Sequence, residues 1–332
     1  MWSWFGVIAA GILNGSFAVP LKTTRVWKFN HIWMVHSLLA MALMPWAFAL
    51  LVVPGSGEIL RSVSTRGWIG LALWGLLFGL GSLLYGVAVD LLGISLGFAI
   101  QLGLSIVLGA LLPLIWARAL GLRTYSDFCF MAGLAVMVVG VVLCAQAGGT
   151  KSPASAPTGK RFRTGLIIAL IGGILAPTLN FGIQYGTTLL ASAGADAVPS
   201  RFPVPIYLAW AVFLSASAIL QAGVCLWRVL RADQSDLFHQ PGAGRDVLQI
   251  LAMSSLWITS VFLYGRSAFS LGQMGNSIGW PIFIALIILA SNAWGVILGE
   301  WKGVPRSAFR RMVAGCAVLV LAAFLIGQGH RG

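Results

Sequence analysis

Ten long apolar stretches run through the sequence and restrict its fold more than any other feature. Each is close to the length of about 20 residues that a helix needs to cross a bilayer. Because the stretches are continuously apolar and do not alternate, they predict helices rather than the strands of a membrane barrel. The chain is therefore expected to be an all-α membrane protein with ten transmembrane helices. The predicted spans cover approximately 3–21, 31–53, 68–89, 93–116, 128–146, 164–187, 203–227, 247–265, 275–299 and 309–327.

The basic residues predict the topology of the chain. Its net charge is +13, but the Lys and Arg residues lie between the spans and do not form a patch that would bind nucleic acid. Most of them fall in every second connection, beginning after the first span. Since basic loops stay in the cytoplasm, both termini are predicted to be periplasmic, and the first span to be a retained helix rather than a signal peptide. The predicted cytoplasmic cations are Lys22, Arg25, Lys28, Lys151, Lys160, Arg161, Arg163, Arg228, Arg231, Arg245, Lys302, Arg306, Arg310 and Arg311.

The sequence also repeats itself. A shift of 182 positions aligns residues 93–146 with 275–328 without a gap, and a weaker match relates Gly11 to Gly173. The matching spans lie five apart, and because five is odd the second copy must cross the membrane in the opposite sense. We therefore predict a 5+5 inverted repeat, an architecture of secondary transporters. The predicted parts are a first repeat at 1–147, a basic Pro/Ser-rich cytoplasmic linker at 148–163 and a second repeat at 164–332, forming one integrated membrane domain.

Glycine motifs and cysteines favour packing over catalysis. Gly-x-Ser-x-Gly occurs at 93–97 and 275–279, where a hydrolase reading would require a preceding strand, yet both copies open predicted transmembrane helices. Small residues at this spacing instead let helices approach closely. No carboxylate pair, zinc motif or phosphate loop is recognisable, so no enzyme activity, cofactor or metal is predicted. Gly-x-x-x-Gly spacings at 11/15, 75/79, 93/97, 182/186 and 295/299 and the scattered Cys129, Cys144, Cys225 and Cys316 are expected to be packing residues.

Three ionisable residues are candidates for carrying a proton. His36 ranks first because it lies well inside a predicted span, where ionisable groups usually mark function. The alternative is a neutral histidine that is hydrogen-bonded to a neighbouring helix. Glu300 and Asp90 follow at span ends, and Glu300 could equally be an interfacial anchor beside Trp301.

Uncharged polar side chains within the spans predict a binding site for a neutral, hydroxylated molecule. Amides and hydroxyls can replace the hydration of a sugar, and aromatic rings can contact its apolar face. Charged substrates would favour Lys, Arg or a carboxylate at mid-membrane instead. For each residue alone, an interhelical hydrogen bond or an interfacial position is the competing explanation. The predicted substrate-binding residues are Asn14, Ser16, Gln101, Asn180, Gln184, Asn276 and Trp280.

Several segments resemble one family of transporters over the whole length. They are the first span ending in Pro20 and Lys22, "MPW" at 44–46, "YGVAVDLLGISLGFAIQLGLSIVLGALLP" at 85–113 and "ILGEWKG" at 297–303. These segments are similar to the L-rhamnose–proton symporter family of the drug/metabolite transporter superfamily. The resemblance implies ten helices in a five-plus-five inverted repeat, a bacterial inner-membrane location, and uptake of a deoxyhexose, with L-rhamnose as the expected sugar, coupled to protons.

Three other functions remain open at this stage. The same fold could serve as an exporter or exchanger of another small metabolite, such as an amino acid or a nucleotide sugar. The chain could also be a membrane-embedded enzyme or assembly subunit, or a channel. Our main prediction is proton-coupled sugar uptake by alternating access, with the sugar, protons and the lipid bilayer as partners, no cofactor, and an open oligomeric state.

Overall fold

The computed structural model describes residues 2–116, 124–151, 159–192, 205–271 and 275–328, and all regular structure within these ranges is helical. The helices are α1 (Trp2–Ser16), α2 (Phe29–Leu38), α3 (Met44–Val52), α4 (Ser56–Ser62), α5 (Thr65–Leu92), α6 (Ile94–Trp116), α7 (Tyr125–Lys151), α8 (Gly159–Leu175), α9 (Thr178–Ser192), α10 (Ile206–Arg231), α11 (Ala243–Ser270), α12 (Gly275–Ile297) and α13 (Arg306–Gln328). Short 3₁₀ turns cover Pro20–Thr23 and Ser235–Phe238.

Ten segments of the described chain are long and apolar enough to cross a membrane, which confirms the predicted number of spans. Seven of them are the single helices α5, α6, α7 and α10 to α13. The first combines α1 with the 3₁₀ turn after it, the second combines α2 with α3, and the sixth combines α8 with α9. The ends of the predicted linker, 148–151 and 159–163, belong to α7 and α8, and residues 152–158 lie outside the described ranges.

Prolines account for the interruptions in the second and sixth of these spans. Proline lacks the N–H that a helix interior needs, and its ring displaces the carbonyl four residues earlier. Pro177 follows the end of α8, so α9 restarts at Thr178. Pro45 stands at the start of α3, and the turn before it, Leu39–Leu43, is widened into a π-helical bulge. Each break is thus a local consequence of the sequence.

Two compact units make up the chain. The first unit contains Met1–Ser16, Gly81–Pro177 and Leu263–Gly332, and the second contains Phe17–Leu80 and Thr178–Phe262. Each unit therefore draws on both halves of the sequence and does not coincide with either predicted repeat. The division into repeats stays a prediction.

Within the first unit, glycines allow helices to pack closely, and two pairs of helices lie in contact. Helix α1 lies against α12, and α7 lies along α13. A Cβ atom on Gly15 would come within 2.6 Å of both the Cβ of Ala290 and the carbonyl oxygen of Ile287. Only a residue without a side chain fits there, which confirms the 11/15 spacing as a packing motif. Gly93 is the single residue between α5 and α6, and its φ of 82° is one that other residues rarely adopt.

Within the second unit, α10 is the central helix. It packs against α2, α3 and α9, and its side chains Trp210 and Phe213 are almost completely buried. A Cβ on Gly186 would lie 2.7 Å from that of Ala209 on α10, and one on Gly79 would lie 3.0 Å from the hydroxyl of Ser217. The 75/79 and 182/186 spacings are therefore also confirmed as packing motifs.

Candidate functional site

His36 lies in α2 and is completely buried inside the second unit. Its Nδ1 is 3.0 Å from the hydroxyl oxygen of Ser254 on α11. Aromatic rings of Phe17, Trp33 and Trp257 surround the imidazole, with ring centroids 5.3 to 6.0 Å away. The other ring nitrogen, Nε2, is buried and has no hydrogen-bond partner among the described residues. Because an unsatisfied buried polar atom costs about 1–3 kcal/mol, this nitrogen is a candidate for binding a proton or a hydroxyl group.

A chain of uncharged hydrogen bonds begins one turn before His36. The indole Nε1 of Trp33 donates to Oε1 of Gln221 on α10 at 2.8 Å. The Gln221 amide nitrogen in turn donates to the Ser217 hydroxyl at 2.8 Å and to the sulfur of Met41 at 3.4 Å. Gln221 and Ser217 are completely buried. These bonds hold the His36 face of α2 against α10.

The π-helical bulge immediately follows His36. The backbone N–H of Leu39 is shared between the carbonyls of His36 and Val35, and the bulge continues to Leu43. Such bulges occur frequently at functional sites. The bulge contains Met41, the sulfur of which accepts the Gln221 bond. This irregular turn is a second observation that makes the surroundings of His36 a candidate site.

A buried carboxylate that sequence reasoning missed lies at the start of α11. Asp246 is completely buried and accepts hydrogen bonds from the backbone N–H groups of Arg25, Val26 and Trp27, at 3.0, 2.9 and 2.8 Å. Three such donors stabilise the ionised form of a carboxylate. The ionised carboxylate of Asp246 therefore holds the segment before α2 in place. Nothing in the local sequence could have predicted this pairing, because the partners are about 220 residues apart.

The same segment is held by two further contacts. The indole Nε1 of Trp27 donates to the carbonyl of Leu237 at 2.9 Å, and Nε2 of His31 is 2.9 Å from the carbonyl of Gln234. The ring of Phe238 packs edge-on against both Trp27 and His31. The connection between α10 and α11 is thereby joined to the start of α2.

In the first unit, Ser16 takes part in helix packing. Its hydroxyl donates to the carbonyl of Ile12 at 2.7 Å and accepts the indole N–H of Trp294 at 2.7 Å. Ser291 donates to the carbonyl of Gly15 at 3.1 Å. The interhelical hydrogen bond, which was the competing explanation for Ser16, is thus observed between α1 and α12. Asn14 is buried on the same helix.

Gln101 and Trp280 lie in the interior of the first unit. The Gln101 amide nitrogen donates to the carbonyl of Gly81 at 3.2 Å, whereas its buried Oε1 has no partner in the described part of the chain. The indole of Trp280 donates to the carbonyl of Ser105 at 3.0 Å and packs beside Tyr264. Gln101 therefore keeps a free acceptor, whereas the polar atom of Trp280 is satisfied by the fold.

The remaining predicted residues are placed as follows. Asn180 is buried and Gln184 is exposed, both on α9 in the second unit. The backbone of Asn276 lies in α12, but its side chain falls outside the described residues. Asp90 and Glu300 are exposed, the first near the end of α5 and the second in the turn after α12. Of the three predicted proton carriers, His36 is thus the buried one.

Comparison with known proteins gives a match over nearly the whole chain. Residues 1–331 match the family described as "L-rhamnose-proton symport protein (RhaT)". Curated proteins named L-rhamnose-proton symporter are similar: that of Klebsiella pneumoniae is 24% identical over 323 residues, covering 94% of this chain and 93% of its own. That of Cronobacter sakazakii is 24% identical over 341 residues, covering 99% and 96%. That of Escherichia coli is 25% identical over 325 residues, covering 94% and 93%.

Proposed function

Because the chain belongs to the L-rhamnose-proton symport protein (RhaT) family, we propose that it is a secondary transporter that takes up L-rhamnose together with protons. The observation that carries this proposal is the family match over residues 1–331. The ten apolar helices supply the membrane-spanning structure that uptake requires. Curated relatives that bear the symporter name match over at least 93% of both chains.

The proposed architecture is the 5+5 inverted repeat, working by alternating access. The boundaries of the two compact units support it. The chain changes unit after Leu80 and again after Phe262, which are 182 residues apart, the offset that aligns the repeats in the sequence. It also changes unit after Ser16 and after Pro177, 161 residues apart, one residue from the offset that relates Gly11 to Gly173. Segments that correspond in the proposed repeats therefore belong to the same compact unit.

His36 is the proposed proton-coupling residue. A ligand can shift the balance between two orientations only if it binds them with different affinity, and a buried imidazole changes its surroundings when its helix moves. Histidine is the side chain with an unperturbed pKa in the physiological range. Glu300 and Asp90 are proposed after His36, because they are exposed at helix ends.

The sugar is proposed to bind uncharged polar groups. Gln101 ranks first, since its buried Oε1 lacks a described partner and can accept a sugar hydroxyl. Asn14, Asn180, Gln184 and Asn276 remain proposed binding residues. Ser16 and Trp280 are proposed to support the site, because their polar atoms already bond to the fold.

The proposed location is the inner membrane of a bacterium, with both termini in the periplasm. The relatives are bacterial, and the distribution of Lys and Arg among the loops supports the orientation.

Uptake into liposomes tests the proposed function. The purified protein is reconstituted, and labelled L-rhamnose is supplied with and without an inwardly directed proton gradient. We expect accumulation above equilibrium that depends on the gradient and collapses with a protonophore. Equal uptake in both conditions would refute proton symport. Gradient-independent counterflow of an amino acid or a nucleotide sugar, with no movement of L-rhamnose, would favour the exchanger.

A further inference from the structure

Ser254 differs from neighbouring serines of α11 in its hydrogen bonding. Ser255, Ser260 and Ser270 each donate to a backbone carbonyl of the preceding turn, as hydroxyls in helices commonly do. Among the contacts that the structure describes, the Ser254 hydroxyl instead bonds to Nδ1 of His36, at 3.0 Å. Both side chains are completely buried. The bond joins α11 to α2 between residues that are 218 positions apart in the sequence.

The chemistry of a hydroxyl suits a histidine that gains and loses a proton. A serine oxygen can accept the Nδ1–H of a neutral imidazole, which leaves the lone pair on Nε2. When a proton then binds at Nε2, Nδ1 keeps its hydrogen and the same bond to Ser254 persists. The bond therefore fits both protonation states without rearrangement. Nε2 is the buried nitrogen for which the described residues supply no partner.

We propose that Ser254 is a positioning residue that fixes the imidazole of His36 so that Nε2 is the atom that exchanges the transported proton. The proposal rests on the proposed symport function. It adds which nitrogen acts and which side chain orients it. The tautomer of a histidine follows from the bond that its other nitrogen makes, and with the Ser254 oxygen as the acceptor that bond places the hydrogen on Nδ1.

Among the described residues that surround His36, its imidazole is the group placed to titrate. The rings of Phe17, Trp33 and Trp257 contact the imidazole and carry no charge. On α2, the Nε2 of His31 is bonded to the carbonyl of Gln234. On α11, Asp246 accepts three backbone N–H groups of the segment before α2.

The other charged groups on the packed elements are exposed. They are the exposed Lys22 and Arg25 in the segment after Phe17, Lys28 before α2, Arg228 and Arg231 at the end of α10, and Arg245 and Arg266 on α11. A change in the pH dependence of transport caused by Ser254 therefore reports on His36.

The first test is spectroscopic. The full-length protein is labelled with ¹⁵N-histidine and reconstituted in bilayers, and the His36 signals are assigned by their loss in His36→Gln. We expect the neutral form to carry its hydrogen on Nδ1, and Ser254→Ala to convert part or all of it to the Nε2–H tautomer. Ser254→Thr keeps a hydroxyl and should restore the original tautomer. An unchanged tautomer in Ser254→Ala would overturn the proposal.

The second test is the pH profile of L-rhamnose uptake in the same variants. Ser254→Ala should shift the profile and lower gradient-driven accumulation about tenfold, the range expected for one lost buried hydrogen bond. Ser255→Ala is the matched control, because its exposed hydroxyl bonds to Leu251 of its own helix, and it should behave as wild type. A wild-type profile in Ser254→Ala would overturn the proposal. If wild-type uptake does not depend on the gradient but Ser254 still sets the tautomer, both proton symport and the proton-carrying role of His36 are refuted. Only the role of Ser254 in orienting the imidazole is then supported.

Discussion

At the residue scale, hydrogen bonding separates the polar side chains that maintain the fold from those that keep an unused donor or acceptor. Ser16 and Trp280 bond to neighbouring helices through their polar atoms. Gln101 and His36 are buried, yet each keeps one polar atom without a described partner. A buried polar atom without a hydrogen bond destabilises the fold unless a ligand or proton binds it. Mutation of these two residues is therefore the most informative.

Replacing His36 with glutamine tests the proposed proton carrier. Glutamine is similar in length and can still hydrogen-bond to Ser254, but it cannot take up a proton. We expect gradient-driven accumulation of L-rhamnose to fall to the level seen without a gradient, at least a tenfold loss. The measurement is uptake into liposomes at several external pH values, with size-exclusion chromatography in detergent to verify folding. Wild-type accumulation in a folded His36→Gln protein would remove His36 from the mechanism.

Replacing Gln101 with leucine tests the proposed sugar contact. Leucine preserves most of the volume but removes both the bond to the Gly81 carbonyl and the free acceptor. We expect weaker L-rhamnose binding, by about tenfold for one lost hydrogen bond to a hydroxyl, measured by calorimetry or by the KM of uptake. Gln101→Glu keeps an acceptor and serves as the comparison. An unchanged KM in Gln101→Leu would exclude a direct contact.

Replacing Asp246 with alanine tests the buried carboxylate. The change leaves three backbone N–H groups without their acceptor, so we expect a loss of about 2–5 kcal/mol of stability and a clearly lower midpoint of thermal unfolding in detergent. Asp246→Asn keeps one acceptor oxygen and should lose less. The exposed Asp236 provides the control variant Asp236→Asn. If Asp246→Ala and Asp236→Asn unfold at the same temperature, the carboxylate does not hold the segment.

At the element scale, the interruptions in the second and sixth spans are local effects of proline, and the close approach of helices is a local effect of glycine. Both could be predicted from the sequence in part. The spacing at 11/15 predicts close packing, and the structure confirms it. The π-helical bulge at Leu39–Leu43 was not predicted, although Pro45, which explains it, stands in the recognised "MPW" segment.

Replacing Pro45 with alanine should close this bulge. Alanine supplies the missing N–H and removes the ring, so we expect a higher midpoint of thermal unfolding, because proline in a helix interior costs about 3 kcal/mol. The regular helix would rotate His36 relative to Ser254 and lower L-rhamnose uptake severalfold. Pro54, exposed in the turn after α3, provides the control variant Pro54→Ala. Full uptake in Pro45→Ala would show that transport does not need the bulge.

Replacing Gly15 with alanine should disturb the packing of α1 on α12. The added Cβ would lie 2.6 Å from a backbone carbonyl, so the helices must separate, at a cost of about 1–3 kcal/mol. Gly57 is the matched control, because a Cβ there meets nothing within 4 Å and alanine is the better helix former. We expect a lower unfolding midpoint for Gly15→Ala than for Gly57→Ala. A higher unfolding midpoint for Gly15→Ala than for Gly57→Ala would show that α1 and α12 are not tightly packed at Gly15.

At the scale of the whole molecule, two levels of organisation coexist in one chain. The predicted repeats follow one another in the sequence, whereas each compact unit combines segments from both halves of the chain. Helices that correspond in the predicted repeats, α7 with α13 and α6 with α12, pack together in the first unit.

The orientation in the membrane is testable by cysteine labelling. Glu58 lies in a connection predicted to be periplasmic and Lys302 in one predicted to be cytoplasmic, and both are exposed. We expect an impermeant maleimide added to intact cells to label Glu58→Cys, and to label Lys302→Cys only after the membrane is opened. The native cysteines are buried or half-buried, and the unmodified protein gives their background. The opposite pattern of labelling would invert the topology.

The sequence by itself determined the number of spans, the helical class, the packing role of the glycines at 11/15, 75/79 and 182/186, and the family. The first three follow from hydrophobic length, from composition and from the close spacing of residues along one helix, and the family follows from short segments of similar sequence; all of these signals are local. Only the tertiary structure decided that His36 bonds to Ser254, that Asp246 accepts the N–H groups of residues 25–27, and that Ser16 bonds to Trp294. Each of these bonds joins residues more than 200 positions apart. A bilayer requires buried polar atoms to be satisfied, but it does not specify by which distant partner.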